Sequence, residues 1–154
     1  MKKEHYKGFL SIIFNLVFWV LVIVLGFNLK IETSTGDKVE ILDHVYLKET
    51  LWIVIAIVVL AIMKECINMY ASDNKKLVMV VTSVVNIATI ILLFVWLNDN
   101  KIKGSLFVEE ITVKLANNQF VLSLFQHVAL IFAVMAGIGL FVDLVCVTLK
   151  KIKD

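Results

Sequence analysis

The chain has 154 residues, of which 60% are hydrophobic and 18% charged, and its mean hydropathy is +0.93. Soluble domains are typically ~45–50% apolar and ~25% charged, and the excess here falls in long runs, so a water-soluble globular enzyme is excluded as the first reading. The 15 basic residues are all lysine and the net charge is +2. Without the planar guanidinium, bidentate recognition of phosphate has no basis, and so weak a charge gives no nucleic-acid partner.

Residues 1–7 are a short basic start. Gly8 to Leu29 then runs uncharged for 22 residues. A signal peptide has an apolar core of ~7–15 residues and a small-residue cleavage site. This run is longer and lacks the site, so it reads as a retained span at about 8–29. The segment 30–49 is polar. KIETSTGDKVEI alternates around Thr35-Gly36-Asp37, which suits a β-hairpin or a plain loop.

Two further apolar runs cover about 50–70 and 77–97. Each has close to the ~20 residues that a membrane-crossing helix needs. The polar turn between them is so short that the two helices must be antiparallel neighbours. The second polar segment is 98–119. Phe107, Ile111 and Leu115 recur every four residues, and Glu110 precedes Lys114 by four, which suits a short amphipathic helix lying on a membrane. The alternation of Ile111, Val113 and Leu115 equally suits a strand. A last span at about 120–149 is longer than one crossing needs and is read as one tilted or projecting helix. The chain is too short for a second folded domain.

Four spans put both termini on one side. Lysines near span ends mark the cytoplasmic side. The side of the termini and the short turn holds nine: Lys2, Lys3, Lys7, Lys64, Lys75, Lys76, Lys150, Lys151 and Lys153. The long-segment side holds six over about twice the length: Lys30, Lys38, Lys48, Lys101, Lys103 and Lys114. The expectation is an all-α integral membrane protein of the cell membrane, a four-helix transmembrane bundle with both termini cytoplasmic and with 30–49 and 98–119 external.

Ionisable groups inside a membrane are costly and mark function by default. At 1.5 Å per residue, Lys64 and Asp143 each lie roughly 9 Å in from the cytoplasmic ends of their helices. Asn15 lies at a similar depth, and so do Thr82 and Ser83. Two readings stand. In one, Lys64 and Asp143 form an interhelical ion pair that Asn15 helps to satisfy, a polar layer of Asn15, Lys64 and Asp143. In the other, Lys64 snorkels to the headgroups, Glu65 pairs with a nearby lysine and Asp143 sits in a wet crevice. Asn86, near the middle of its helix, suits a hydrogen bond to a neighbouring helix. Ala129, Ala133 and Gly137 repeat every four residues and would let another helix approach, from this chain or from a second copy. Trp52 and Trp96 stand at outer span ends, where interfacial anchors belong.

The three histidines fall at different levels and make no metal site. Cys66 and Cys146 form no C-x-x-C pair, and packing is their simplest role. No phosphate-cradling glycine loop or activated nucleophile is present, so no cofactor, metal or catalytic residue is expected.

The stretch MKECINMYASDNKKL followed by VVNIATIILL, and FVDLVCVTLKK near the end, resembles the membrane region of bacterial proteins that carry a HAAS domain and accompany PadR-type regulators. The shared features are the charged dipeptide closing helix two, the Asn in helix three and the Asp seven residues before a Lys in helix four. The likeness spans about residues 8–151. That family's cytoplasmic helical domain would precede the first span, where seven residues stand. The resemblance implies a regulatory setting and carries over no catalytic residue. The expected function is therefore that of a small non-enzymatic bacterial membrane protein, regulatory or sensory, acting through helix packing. Its partners would be the lipid bilayer and another membrane protein or a second copy. The alternative is a minimal transporter or channel subunit that uses the Lys64/Asp143 layer.

Overall fold

The computed structural model describes residues 2–71 and 73–153, and the side chains of Lys2, Lys3, Lys150, Lys151 and Lys153, used above for orientation, lie outside the described residues. The first element is α1 (Lys2–Asn28). A small antiparallel hairpin follows, β1 (Lys30–Glu32) and β2 (Lys38–Glu40), in the register Lys30↔Glu40, Ile31↔Val39 and Glu32↔Lys38. The 30–49 segment is thus a hairpin and a helical turn rather than a plain loop. Gly36 turns the chain at φ +89°, a conformation that side chains disfavour. Thr33 and Asp37 close the turn through Thr33 N–H to the Asp37 carbonyl (2.8 Å) and Asp37 N–H to Thr33 Oγ1 (3.1 Å).

Helix α2 (His44–Glu49) starts where the Asp43 carboxylate accepts the Tyr46 N–H at 2.8 Å, an N-cap. The long helix α3 (Leu51–Tyr70) follows directly, and α4 (Lys75–Trp96) starts at Asn74, whose side chain accepts the Leu77 N–H. Next come α5 (Asp99–Ile102), α6 (Ser105–Lys114), α7 (Gln119–Gln126, capped by Asn118) and α8 (Val128–Lys153). Four helices are long and apolar enough to cross a membrane: His5–Asn28, Leu51–Tyr70, Lys75–Trp96 and Val128–Leu149. The fold is all-α apart from the hairpin.

The long helices pack in series, α1 on α3, α3 on α4 and α4 on α8, with α1 and α8 at the two ends. The hairpin and the short helices gather at one end as a cap. The core lies just beneath it, where Trp19, Ile53, Val54, Ile57, Leu93, Trp96 and Ala129 bury together with Leu47 and Ile102 of the cap. Trp96 is therefore a core residue rather than an interfacial anchor. It is 6% exposed and meets Trp19 edge to face, with ring centroids 5.9 Å apart. The helix-end position alone suggested an anchor, but the cap covers this end. Trp52, 61% exposed, has the open position that an anchor requires.

The last apolar run is not one helix. It breaks at His127 into α7 and α8. The Lys103 ammonium donates to the carbonyls of Phe125 (2.8 Å) and Gln126 (2.7 Å) and stands 4.9 Å from the Phe125 ring centroid. A cation at the C-terminus of a helix satisfies its last carbonyls and its dipole. Hydropathy of the run carried no trace of this, because the capping residue lies more than twenty positions upstream. Phe107 of α6 is buried edge to face on Phe125, at 5.3 Å, so α6 turns this side chain into the cap.

Side-chain and backbone contacts hold the cap together and tie it to the bundle. Glu110 accepts the backbone N–H and the hydroxyl of Ser34, each at 3.1 Å, and pairs with Lys114 at 2.9 Å. The Lys114 ammonium, followed by the Ser34 donors, holds the Glu110 carboxyl below its ordinary value. Tyr46 donates its hydroxyl to the carbonyls of Val95 (3.1 Å) and Trp96 (3.0 Å), and burial pushes its pKa up. Gly104 donates its N–H to the Ile41 carbonyl, and a Cβ there would overlap the Glu40 carbonyl oxygen.

Gly104→Ala is expected to lower stability by about 1–3 kcal/mol, because backbone cannot yield as a side chain can; thermal unfolding of the purified protein in detergent measures it. A depressed carboxylate contributes stability above its usual pKa and loses it as pH falls through the lowered value. Protection of the Ser34 amide against hydrogen exchange should therefore collapse in acid below the ordinary carboxylate range. Glu110→Gln should show weak protection at every pH.

Candidate functional site

Three helices converge on one polar cluster. Lys64 of α3 places its Nζ 3.1 Å from Asp143 Oδ2 on α8 and 3.4 Å from Asn86 Oδ1 on α4. Asn86 donates through Nδ2 to Asp143 Oδ2 and to the Leu140 carbonyl, both at 3.1 Å. The amide thus accepts from the cation and donates to the anion, each with the atom suited to it. Asn86 is 2% exposed, and the Lys64 and Asp143 side chains are 16% and 44% exposed.

Helix geometry explains the convergence. Cα–Cβ bonds tilt toward the N-terminus of their helix. Helices α3 and α8 start at the cap end, so Lys64 and Asp143 lean inward toward the middle of the bundle. Helix α4 runs the opposite way and starts at the short turn, so Asn86 leans back toward that turn. Counting depth along the helix axes alone leaves Asn86 above the layer, although its mid-helix position suits the hydrogen bonds that it makes to α8. The antiparallel α3–α4 hairpin was the signal that could have joined them.

Asn15 takes no part in the ion pair, contrary to the expectation. Its Nδ2 donates to the Ser11 carbonyl of its own helix at 3.0 Å. A side-chain amide in a helix readily bonds the preceding turn, and Lys64 is already served by α4 and α8. Helix α1 instead meets α3 through Ser11, whose hydroxyl donates to Glu65 Oε1 at 3.0 Å. Lys64 and Glu65, adjacent in sequence, thus serve opposite sides of the bundle.

Between these two polar contacts lies a crevice of about 220 Å³, lined by all four long helices. Asn15, Lys64, Glu65, Asn86 and Thr89 supply polar atoms, while Phe18, Trp19, Ile57, Leu93 and Ala136 supply apolar walls. Thr82, one turn from Asn86, is 1% exposed, and its hydroxyl has no hydrogen-bond partner among the described residues.

The small residues of α8 behave unequally. Ala133 (1% exposed) and Ala129 (5%) are buried within this chain, and a Cβ on Gly137 would only reach van der Waals distance from Ile90. Gly139 faces open space. Cys66 and Cys146 are both free thiols. No group of three His, Cys, Asp or Glu among the described residues is arranged to hold a metal ion.

Comparison with protein-family models, with curated proteins and with solved structures finds no match to this chain.

Lys64→Ala and Asp143→Ala should each cost about 1–3 kcal/mol, below the ~3–5 of a fully buried pair because Asp143 is partly open. The swap Lys64→Asp with Asp143→Lys should recover part of that loss in a thermal-unfolding double-mutant cycle, and a swap no better than the single changes would show the pair to be inert. Asn86→Leu should cost about 1 kcal/mol, the usual size of an interhelical hydrogen bond in membrane bundles.

Proposed function

We propose that this chain is a four-span protein of the bacterial cell membrane, with both termini and the α3–α4 turn cytoplasmic and the cap external. It has no catalytic role and works as a regulatory or sensory subunit through helix packing with another membrane protein. The lysine distribution supports the orientation. The observation that carries the functional reading is the way the polar groups are used. Lys64, Asn86 and Asp143 engage one another across three helices, and Ser11 engages Glu65 across a fourth. Groups committed in this way fix the packing of helices rather than line a path for solute. The outward faces of the terminal helices, such as Phe14, Val17 and Leu21 on α1 and Ile138, Phe141 and Val142 on α8, remain apolar and exposed. Such faces suit lipid or a further helix. The external cap, tied through Lys103 to the end of α7 where α8 begins, offers a route by which an outside stimulus would reach the helix ends. The resemblance to the membrane region of HAAS-domain proteins fits the regulatory half of this reading.

Reporter fusions after Ala71 and within 33–37 test the orientation, and the first should read cytoplasmic and the second external. Cysteines placed on the outer face of α1 should crosslink to a discrete second polypeptide in native membranes, whereas the same cysteines on a face of α4 buried against α3 should not. Solute or ion flux from proteoliposomes of the purified chain, lost in Lys64→Ala, would overturn the reading in favour of transport.

A further inference from the structure

Among the described residues the charges of this layer are answered unequally. Lys64 and Asp143 oppose each other at 3.1 Å. Glu65 remains, and the hydroxyl of Ser11, its hydrogen-bond partner at 3.0 Å, carries no charge. Lys64, next to it in sequence, sends its ammonium to α4 and α8 instead. Glu65 lies five residues from the end of α3, roughly 7.5 Å in by the helical rise. An ionised carboxylate in a medium of low dielectric calls for a cation beside it.

The space beside Glu65 is shaped for one. The crevice of about 220 Å³ reaches both Glu65 and Asn15, and its volume admits one long side chain but not a helix. It lies between α1 and α8, the two ends of the packing series. Beside it the exposed surface is apolar, with Phe18 and, one turn away, Phe14 on α1, and with Phe132, one turn from Ala136, on α8. An apolar helix laid across these faces could extend one basic side chain inward to Glu65.

We propose that the α1/α8 crevice is the docking site of a partner transmembrane helix that carries a single lysine or arginine, with Glu65 as its counter-charge. This rests on the membrane reading above and gives the partner its chemistry. The partner's cation completes the charge balance, and Asn15 supplies a further polar group to its head. Charge complementarity sets the depth and orientation of the partner helix, while the apolar faces provide area.

The test uses the full-length chain, fluorescently tagged at its C-terminus, in liposomes of zwitterionic lipid with labelled leucine–alanine transmembrane peptides. One peptide carries Lys at the depth of Glu65, and its controls carry Leu or Glu there. Energy transfer should show the Lys peptide binding at least 10-fold more tightly than either control. Glu65→Gln should abolish that preference and Glu65→Asp should keep it. Ala61→Leu fills the crevice and leaves Glu65 in place, so its equal loss of preference keeps the proposal testable should Glu65→Gln misfold. Equal binding of the Lys and Leu peptides would overturn the proposal. So would a preference erased by replacing choline with sodium in the buffer, since a small free cation would then be the occupant. Carbonate extraction of each liposome preparation reports insertion separately, so failure of the membrane reading is distinguished from failure of the docking site.

Discussion

An apolar bundle tolerates an ionised side chain only where its charge is answered, and this constraint organises the fold. Lys64 and Asp143 could not sit in α3 and α8 unless the intervening helix held those helices at the correct separation and rotation. Asn86 does this from α4, accepting from the ammonium and donating to the carboxylate and to the Leu140 carbonyl. Rotating any of the three helices by a residue would leave a charge or an amide in apolar surroundings, at a cost of several kcal/mol. Apolar contacts alone would accept many rotations, because Val, Ile and Leu interchange along these faces. The polar cluster therefore supplies uniqueness where the apolar surface supplies affinity.

At the opposite end the same task falls to the cap. Tyr46 reaches the last carbonyls of α4, and Lys103 reaches those of α7. Both end a helix by occupying carbonyls that otherwise have no partner. Between the two polar ends lies the aromatic and aliphatic core around Trp19 and Trp96. The bundle is thus fastened at two levels and packed in between. Helix α1 is the exception, held to α3 near the level of the polar cluster by a neutral donor on Glu65.

The first three long helices were legible because each is a run of apolar residues near the length of a membrane crossing, and length and composition alone define that signal. The short turn at 71–74 made α3 and α4 antiparallel neighbours without further argument. The hairpin was half legible, since Thr35-Gly36-Asp37 marks a turn but three-residue strands carry little periodicity. The break at His127, the burial of Trp96 and the diversion of Asn15 were not legible. Each is decided by a residue distant in sequence: Lys103 for the break, Trp19 and the cap for Trp96, and the α4–α8 partners of Lys64 for Asn15. Lys64, Glu65 and Asp143 stood out as charges in apolar runs, but their allocation to different sides of the bundle depends on helix rotation, which a pattern of common apolar letters does not encode.

The latch from Lys103 to α7 also bears on how the protein is made. The ribosome delivers Lys64, Asn86 and Lys103 before the segment that each of them will engage has been synthesised. Only with the final stretch do the Phe125 and Gln126 carbonyls and the Asp143 carboxylate arrive, at opposite ends of the bundle. The two polar fastenings therefore close late in synthesis. A chain interrupted before residue 125 would lack the carbonyls that Lys103 caps and the carboxylate that Lys64 and Asn86 share. The same final stretch supplies both.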